Sequence, residues 1–332
     1  MTAYSVLVPF VPSRPEQMLP FAGLVHWTGA HRLWQGQSLS TESHQGFAYA
    51  AGAGFRVPAG LGVTLMPLRH PTEAALQARS LSLMTGEPVL AGYGPGAPGV
   101  QQALLGAPYR SPLTAAREYL GAVRAALAGG PEVLDGTYVH QESLLRPVPG
   151  PKVELGLGVL RPGMARVAGE VADAAITWLT PARYLREHIV PAVRESAERT
   201  GRPAPRVVAM VPLALEAHDR DPVQLALASN RNHLRAAHYR DMLRRGGVDL
   251  PDEVPEGTGP PDDNELLQGK ALIAGDAFLY GGPDGLRAGL DAYREAGVDE
   301  IVLNVTGVAR VFGPQAATKE LRALLTLLGL AV

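Results

Sequence analysis

The chain has 332 residues, 46% apolar and 19% charged with a formal net charge of −2, a composition able to bury a sizeable core. It contains no cysteine, which excludes disulfides, thiolate nucleophiles, cysteine-ligated zinc and iron–sulfur clusters. No basic leader precedes an apolar segment at the start, no run of about 18 uncharged apolar residues occurs, and the basic run Arg231 to Arg245 carries no base-stacking aromatic pattern of a nucleic-acid surface. A cytoplasmic protein with no membrane or nucleic-acid partner is therefore expected.

Taken in chain order, β-prone runs predict strands at Ser5–Pro9, Arg32–Gln35, Gly60–Met66 and Pro88–Tyr93, then Val153–Gly158, Ala174–Trp178, Arg206–Leu215 and Glu300–Val305. Helical periodicity predicts Thr72–Met84, Pro112–Ala128, Gly163–Val171, Pro181–Thr200, Pro222–Arg245 and Pro283–Ala296, several opened by a proline suited to a first turn. Eight βα alternations of one composition class point to a closed (β/α)8 TIM barrel of the α/β class, a single domain over residues 1–332, before an open doubly wound sheet. Two connections are too long for plain loops. Gly129–Pro151 is rich in Gly and Pro, and Asp249–Gly269 is acidic and proline-rich; both read as long insertions at the barrel mouth or as surface loops.

Three blocks carry a resemblance. GLGVTLMPLRHPTEAALQARSLSLMTGEPVLAGYGPG, from Gly60, sets strand, Pro-rich turn, helix and strand in the order found in bacterial luciferase-like oxidoreductases. The block from Gly158 to Val208 looks more like the branch of that family that uses the deazaflavin coenzyme F420, where a GP-x-M type of turn opens a helix ending in an Ala-Asp pair. DGLRAGLDAYREAGVDEIVLNV resembles the family's last helix and eighth strand. Together these blocks cover most of the chain outside the two long loops.

The resemblance implies cofactor-binding residues, and each has a physical reading of its own. Gly62, Val63 and Thr64 end the third strand, where a glycine lets backbone approach a planar ring closely; an ordinary strand with a packing glycine reads the same way. The resemblance implies a cis Gly62–Val63 peptide bulging behind the cofactor ring. Arg161, Pro162, Gly163 and Met164 form a turn entering a helix, whose N–H groups and arginine suit a phosphate; a capped surface turn is the alternative. Tyr93 and Gly94 lie in a run matching G-x-G-x-x-[GA], which follows the fourth strand and lacks the acidic partner of a dinucleotide site. Those glycines would open space at the mouth, with Tyr93 against the ring or tail.

Gln37 and Ser38 stand where much of the family has an acidic residue followed by His, and neither is a strong acid or base near neutral pH. Gln37 would hydrogen-bond cofactor or substrate. No acid–base pair stands out, so catalytic residues are not assigned. His70 reads as a turn or capping residue, and no histidine spacing suggests a metal site.

The resemblance implies a reductase using F420, moving hydride between deazaflavin C5 and an activated C=C, C=N or C=O bond of a small-molecule or peptide natural-product intermediate of secondary metabolism. An FMN-dependent monooxygenase using reduced flavin and O2 is the alternative, and a degenerate barrel that carries F420 is a third. Arg231, Arg235 or Arg240 could hold the cofactor's anionic tail. The family also implies a homodimer, to which the Ala-rich helix Thr72–Met84 could contribute.

Overall fold

The computed structural model describes residues 2–129, 133–142, 145–252 and 260–331. Eight parallel strands follow one another around a closed barrel: β1 (Ala3–Leu7), β2 (Leu33–Gln35), β3 (Ala59–Leu65), β4 (Val89–Gly94), β5 (Val153–Gly158), β6 (Ala174–Trp178), β7 (Arg206–Leu215) and β8 (Glu300–Asn304). β8 closes the ring by pairing with β1, Ala3 opposite Glu300. All eight predicted strands are present, none shifted by more than two residues. β7 is long because one of its edges serves two neighbours, while the other pairs with β6: Val208 to Pro212 pair with β8, and Leu213 to Leu215 with a short extra strand, Leu279–Gly281.

Helices cover the barrel: α1 (Leu19–His26), α2 (Ser43–Gly52), α3 (Pro71–Thr85), α4 (Pro98–Leu105), α5 (Pro112–Ala128), α6 (Pro162–Val171), α7 (Ala182–Tyr184) and α8 (Val190–Arg199) in the first part. α9 (Pro222–Leu234), α10 (Ala237–Arg245), α11 (Asp263–Ala274), α12 (Pro283–Glu295), α13 (Thr306–Phe312) and α14 (Pro314–Leu327) complete it. Local chemistry sets their starts. His70 caps α3 by accepting from the Thr72 N–H at 3.2 Å, and Ser111 and Asp221 cap α5 and α9. Among the described residues no helix is long and apolar enough to cross a membrane.

Three predicted elements differ. The helix Pro222–Arg245 is two helices: Ala236 adopts an extended conformation (φ −89, ψ 119) and caps α10, which folds the chain so that the rings of His233 and Tyr239 meet at 4.9 Å. Pro181–Thr200 contains a π-helical turn, Leu185–Ile189, just before Pro191, which has no N–H to continue the regular ladder. The expected loop Asp249–Gly269 gives way to α11 at Asp263, because Asp262 accepts from the Glu265 N–H at 2.8 Å and starts a helix; residues 253–259 lie outside the described residues. Within Gly129–Pro151 a hairpin pairs Val133–Asp135 with His140–Glu142, held on α5 by Glu118, which accepts from the N–H groups of Thr137, Tyr138 and Val139.

Inside the barrel, Leu7, Trp34, Leu90, Ala174, Ile176, Val208, Met210 and Val302 pack on one another. Glycines on neighbouring strands make room for them. A Cβ on Gly60 would stand 2.3 Å from the Trp34 ring and one on Gly156 2.5 Å from Ile176 Cδ1, so large and small residues interlock as in other filled barrels. At the N-terminal end of the barrel Arg32 and Glu300, 2% and 1% exposed, form a buried polar plug. Glu300 Oε1 accepts from Ser5 Oγ at 2.6 Å and Trp34 Nε1 at 2.7 Å, with Arg32 Nε at 3.6 Å.

Candidate active site

The C-terminal ends of the strands, where barrels of this kind place their chemistry, carry the irregular features. Gly62–Val63 is a cis peptide. Leu61 pairs with Ala91 and Thr64 with Tyr93, three steps on β3 against two on β4, so β3 bulges there. Thr64 fixes the strand beyond the bulge, its hydroxyl donating to the Gly92 carbonyl at 3.0 Å. The bulge presents the half-buried Val63 to a floor of glycines. A Cβ on Gly94 would lie 2.8 Å from Val63 Cγ2, and one on Gly158 3.3 Å from both Val63 methyls. The result is a side-chain-poor platform at the mouth.

One wall rises from β6. Trp178, its last residue, packs on the inner cluster beside Val63. His233 lies over it with ring centroids 5.5 Å apart, inclined by 35°. Burial, with the charges of Arg310 and His238, pushes the His233 imidazole down to about 4, so it is neutral near pH 7. Among the described residues, Trp178 Nε1, His233 Nδ1 and Asn304 Nδ2 are buried without a hydrogen-bond partner. Asn304 ends β8 two residues after inward-facing Val302. A buried polar atom left without a partner costs about 1–3 kcal/mol, so a ligand group that pairs with one gains by it. Leu179, next to Trp178, adopts φ +54, a left-handed conformation rare for a branched residue and found at functional sites.

The structure brings Gly62, Val63 and Gly94 together, and it sets the turn Arg161–Met164 just past Gly158. Arg161 caps α6 with Pro162 in its first turn, and its guanidinium meets Asp241 at 3.1 Å. Gly163 faces Leu113 of α5, its Cβ position 3.5 Å away, while Met164 is turned into the packing between barrel and helices. Tyr93 is placed apart from the mouth. Its ring lies in the outer layer, 5.4 Å from that of Tyr119, and its hydroxyl donates to the Ala74 carbonyl. Gln37 lies two residues beyond β2, where a Cβ on its neighbour Gly36 would be 3.5 Å from the Gly62 carbonyl. It donates to the Ser38 carbonyl at 2.7 Å and accepts from Arg69 at 3.4 Å.

Several residues of this rim escaped the sequence reading. Arg69 also reaches Glu42 at 3.4 Å, and Glu42 accepts from both the backbone and the Nδ1 side of His44 at 2.7 Å. Burial raises the Glu42 carboxyl, but the His44 hydrogen bonds and the Arg69 charge outweigh it and hold the group below its ordinary value. An acid–histidine pair therefore exists beside Gln37, displaced into the start of α2. Trp178 and Asn304 were open to detection from their place at the ends of strands. His233 was not, because its position depends on the break between α9 and α10. Among the described residues no group of three His, Asp or Glu side chains could hold a metal ion.

Residues 5–300 match the family described as luciferase-like monooxygenase. A 5,10-methylenetetrahydromethanopterin reductase from Methanolobus tindarius is 25% identical over 303 residues, covering 89% of this chain and 92% of the relative. The structure of a coenzyme F420 dependent tetrahydromethanopterin reductase from Methanopyrus kandleri superimposes with a TM-score of 0.75 at 19% identity, covering 96% and 97% of the two chains. The oxygenating constituent of 3,6-diketocamphane monooxygenase from Pseudomonas putida, in complex with FMN, gives a TM-score of 0.66 at 16% identity, covering 96% of each chain. With the match spanning the barrel from β1 to the start of β8, the chain belongs to the luciferase-like monooxygenase family.

Proposed function

We propose that the chain is an F420-dependent reductase, one domain over residues 1–332, acting on an activated C=C, C=N or C=O bond of a small-molecule or peptide intermediate. The observation that carries this reading is the side-chain-poor platform of Val63, Gly94 and Gly158, over which a large planar group would lie. When bound, the deazaflavin supplies hydride chemistry at C5. The N–H groups at the start of α6 and the Arg161 guanidinium would hold its phosphate. Trp178 and His233 would shield one edge from water, and the unpaired N–H groups of Trp178 and Asn304 would orient an acceptor oxygen or nitrogen of substrate or ring.

The relatives named for a reductase and for F420 dependence favour F420 over FMN, while the FMN-bound barrel supports the second reading, a flavin monooxygenase. Separate titrations with F420, FMN and NADPH, followed by fluorescence or calorimetry, test the choice. F420 is expected to bind at least about tenfold more tightly than FMN, about 1.4 kcal/mol. Equal or tighter binding of FMN overturns the reading in favour of the monooxygenase.

We also propose a homodimer through α3. Leu76, Leu83 and Met84 are 38%, 44% and 60% exposed and share one helical face with Glu73 and Ser80, a mixed surface whose apolar part a second copy would cover. Sedimentation should show a dimer at micromolar concentration that Leu83→Lys dissociates; a monomeric wild type overturns the proposal.

A further inference from the structure

Two directions lead outward from the turn at Arg161. On one side Gly163 faces Leu113, an apolar side chain 39% exposed. On the other, Arg161 and Arg245 share the carboxylate of Asp241 at 3.1 Å and 3.0 Å, and the Tyr184 hydroxyl lies in the field of all three. The chain turns at Gly246, whose Cβ position is 3.1 Å from Pro181 Cγ and 3.3 Å from Tyr184 Cβ, so the end of α10 is seated on the start of α7. Beyond that contact opens a cavity of about 300 Å3, lined by Pro181, Arg183, Arg186, Gly247, Asp276 and Tyr293 among others. Arg183 and Arg186 are 61% and 60% exposed and share Glu187 at 3.1 Å and 3.8 Å.

The geometry points to a binding groove for a flexible oligocarboxylate, running from Arg161 and Arg245 to the cavity at Arg183 and Arg186. We assign it to the glutamate tail that F420 carries beyond its phosphate, so this inference rests on the cofactor reading given above. Four guanidinium groups follow one another from the proposed phosphate turn, and their present partners, Asp241 and Glu187, are surface carboxylates. Exposed pairs of this kind contribute little to stability, so a ligand carboxylate can exchange with them at low cost. The arginines singled out from the sequence are placed otherwise. Arg231 and Arg235 are drawn to the buried Glu265, and Arg240 is bonded to the Pro251 carbonyl.

The test compares dissociation constants, read from deazaflavin fluorescence at low salt, for F420 forms with no glutamate and with several. The wild type is expected to bind the long-tailed form about tenfold more tightly, the scale of two or three exposed ion pairs, with the advantage shrinking as salt screens it. Arg183→Glu with Arg186→Glu should abolish the advantage and leave binding of the tailless form unchanged. Glu187→Gln, which removes the internal competitor, should tighten the long-tailed form. If the wild type binds both forms equally, or the doubly reversed variant keeps the preference, the groove is not the tail site. If neither form binds, the cofactor reading itself fails and takes this inference with it.

Discussion

Glu300→Ala is expected to destabilise the protein by about 3–5 kcal/mol, the usual cost of removing one partner of a buried ion pair. Glu300 Oε1 is the shared acceptor for Ser5 and Trp34 and the nearest carboxylate to Arg32, whose side chain is 2% exposed. Without it Arg32 keeps the Ala59 carbonyl at 3.1 Å and the more distant Glu154 at 3.9 Å, and the Trp34 N–H is buried with no acceptor. Glu300→Gln keeps an acceptor for Ser5 and Trp34 and should cost less. The difference between the two variants then isolates the charge from the hydrogen bonds. Urea denaturation monitored by far-UV circular dichroism reads both. A loss below about 1 kcal/mol for the alanine variant, the scale of an exposed pair, would show that the plug is peripheral to stability.

That plug was invisible in the sequence, although the strands that build it were legible. Each barrel strand is a short, β-prone run between turn residues, and such runs announce themselves locally. Arg32, Trp34 and Glu300 meet because β1 lies between β2 and β8 in a closed ring, which no local pattern encodes. The same distinction holds at the mouth. The bulge at Gly62–Val63 was expected from the family resemblance alone, since the residues read equally as an ordinary strand, whereas the turn at Arg161 was legible as a contiguous Pro-Gly motif opening a helix. Trp178, His233 and Asn304 come from β6, α9 and β8, and only closure of the barrel assembles them. Tyr93 shows the opposite failure. It stands in a glycine-rich motif at the right strand end, but on a strand successive side chains alternate between faces, and the neighbours that point into the mouth are Gly92 and Gly94. The missed helices have a similar cause: α1 is buried at Phe21, Ala22, Gly23, Leu24 and Val25 in succession, so it shows little periodicity, and α2 includes two glycines, Gly46 and Gly52, that lower its propensity.

Gly158→Val is expected to leave the protein folded while weakening F420 binding by about 10–100-fold, equivalent to the 1–3 kcal/mol that overpacking costs a filled site. The added Cβ would stand 3.3 Å from both Val63 methyls and 3.5 Å from the Tyr93 carbonyl, contacts that a small shift of the half-buried Val63 can relieve. Its methyl groups, however, would rise from the platform into the volume proposed for the ring. Gly92 is the contrasting position, because a Cβ there would come within 2.2 Å of the Leu61 carbonyl and 2.5 Å of Ile176 Cδ1, which backbone and core cannot accommodate without loss of stability. Gly92→Val should therefore lower the thermal midpoint, whereas Gly158→Val should move the cofactor affinity. Thermal melts of both variants beside fluorescence titrations with F420 separate the two effects. A Gly158→Val protein that binds the cofactor as the wild type does would place the ring away from Val63, and with it the site proposed over the β3 bulge.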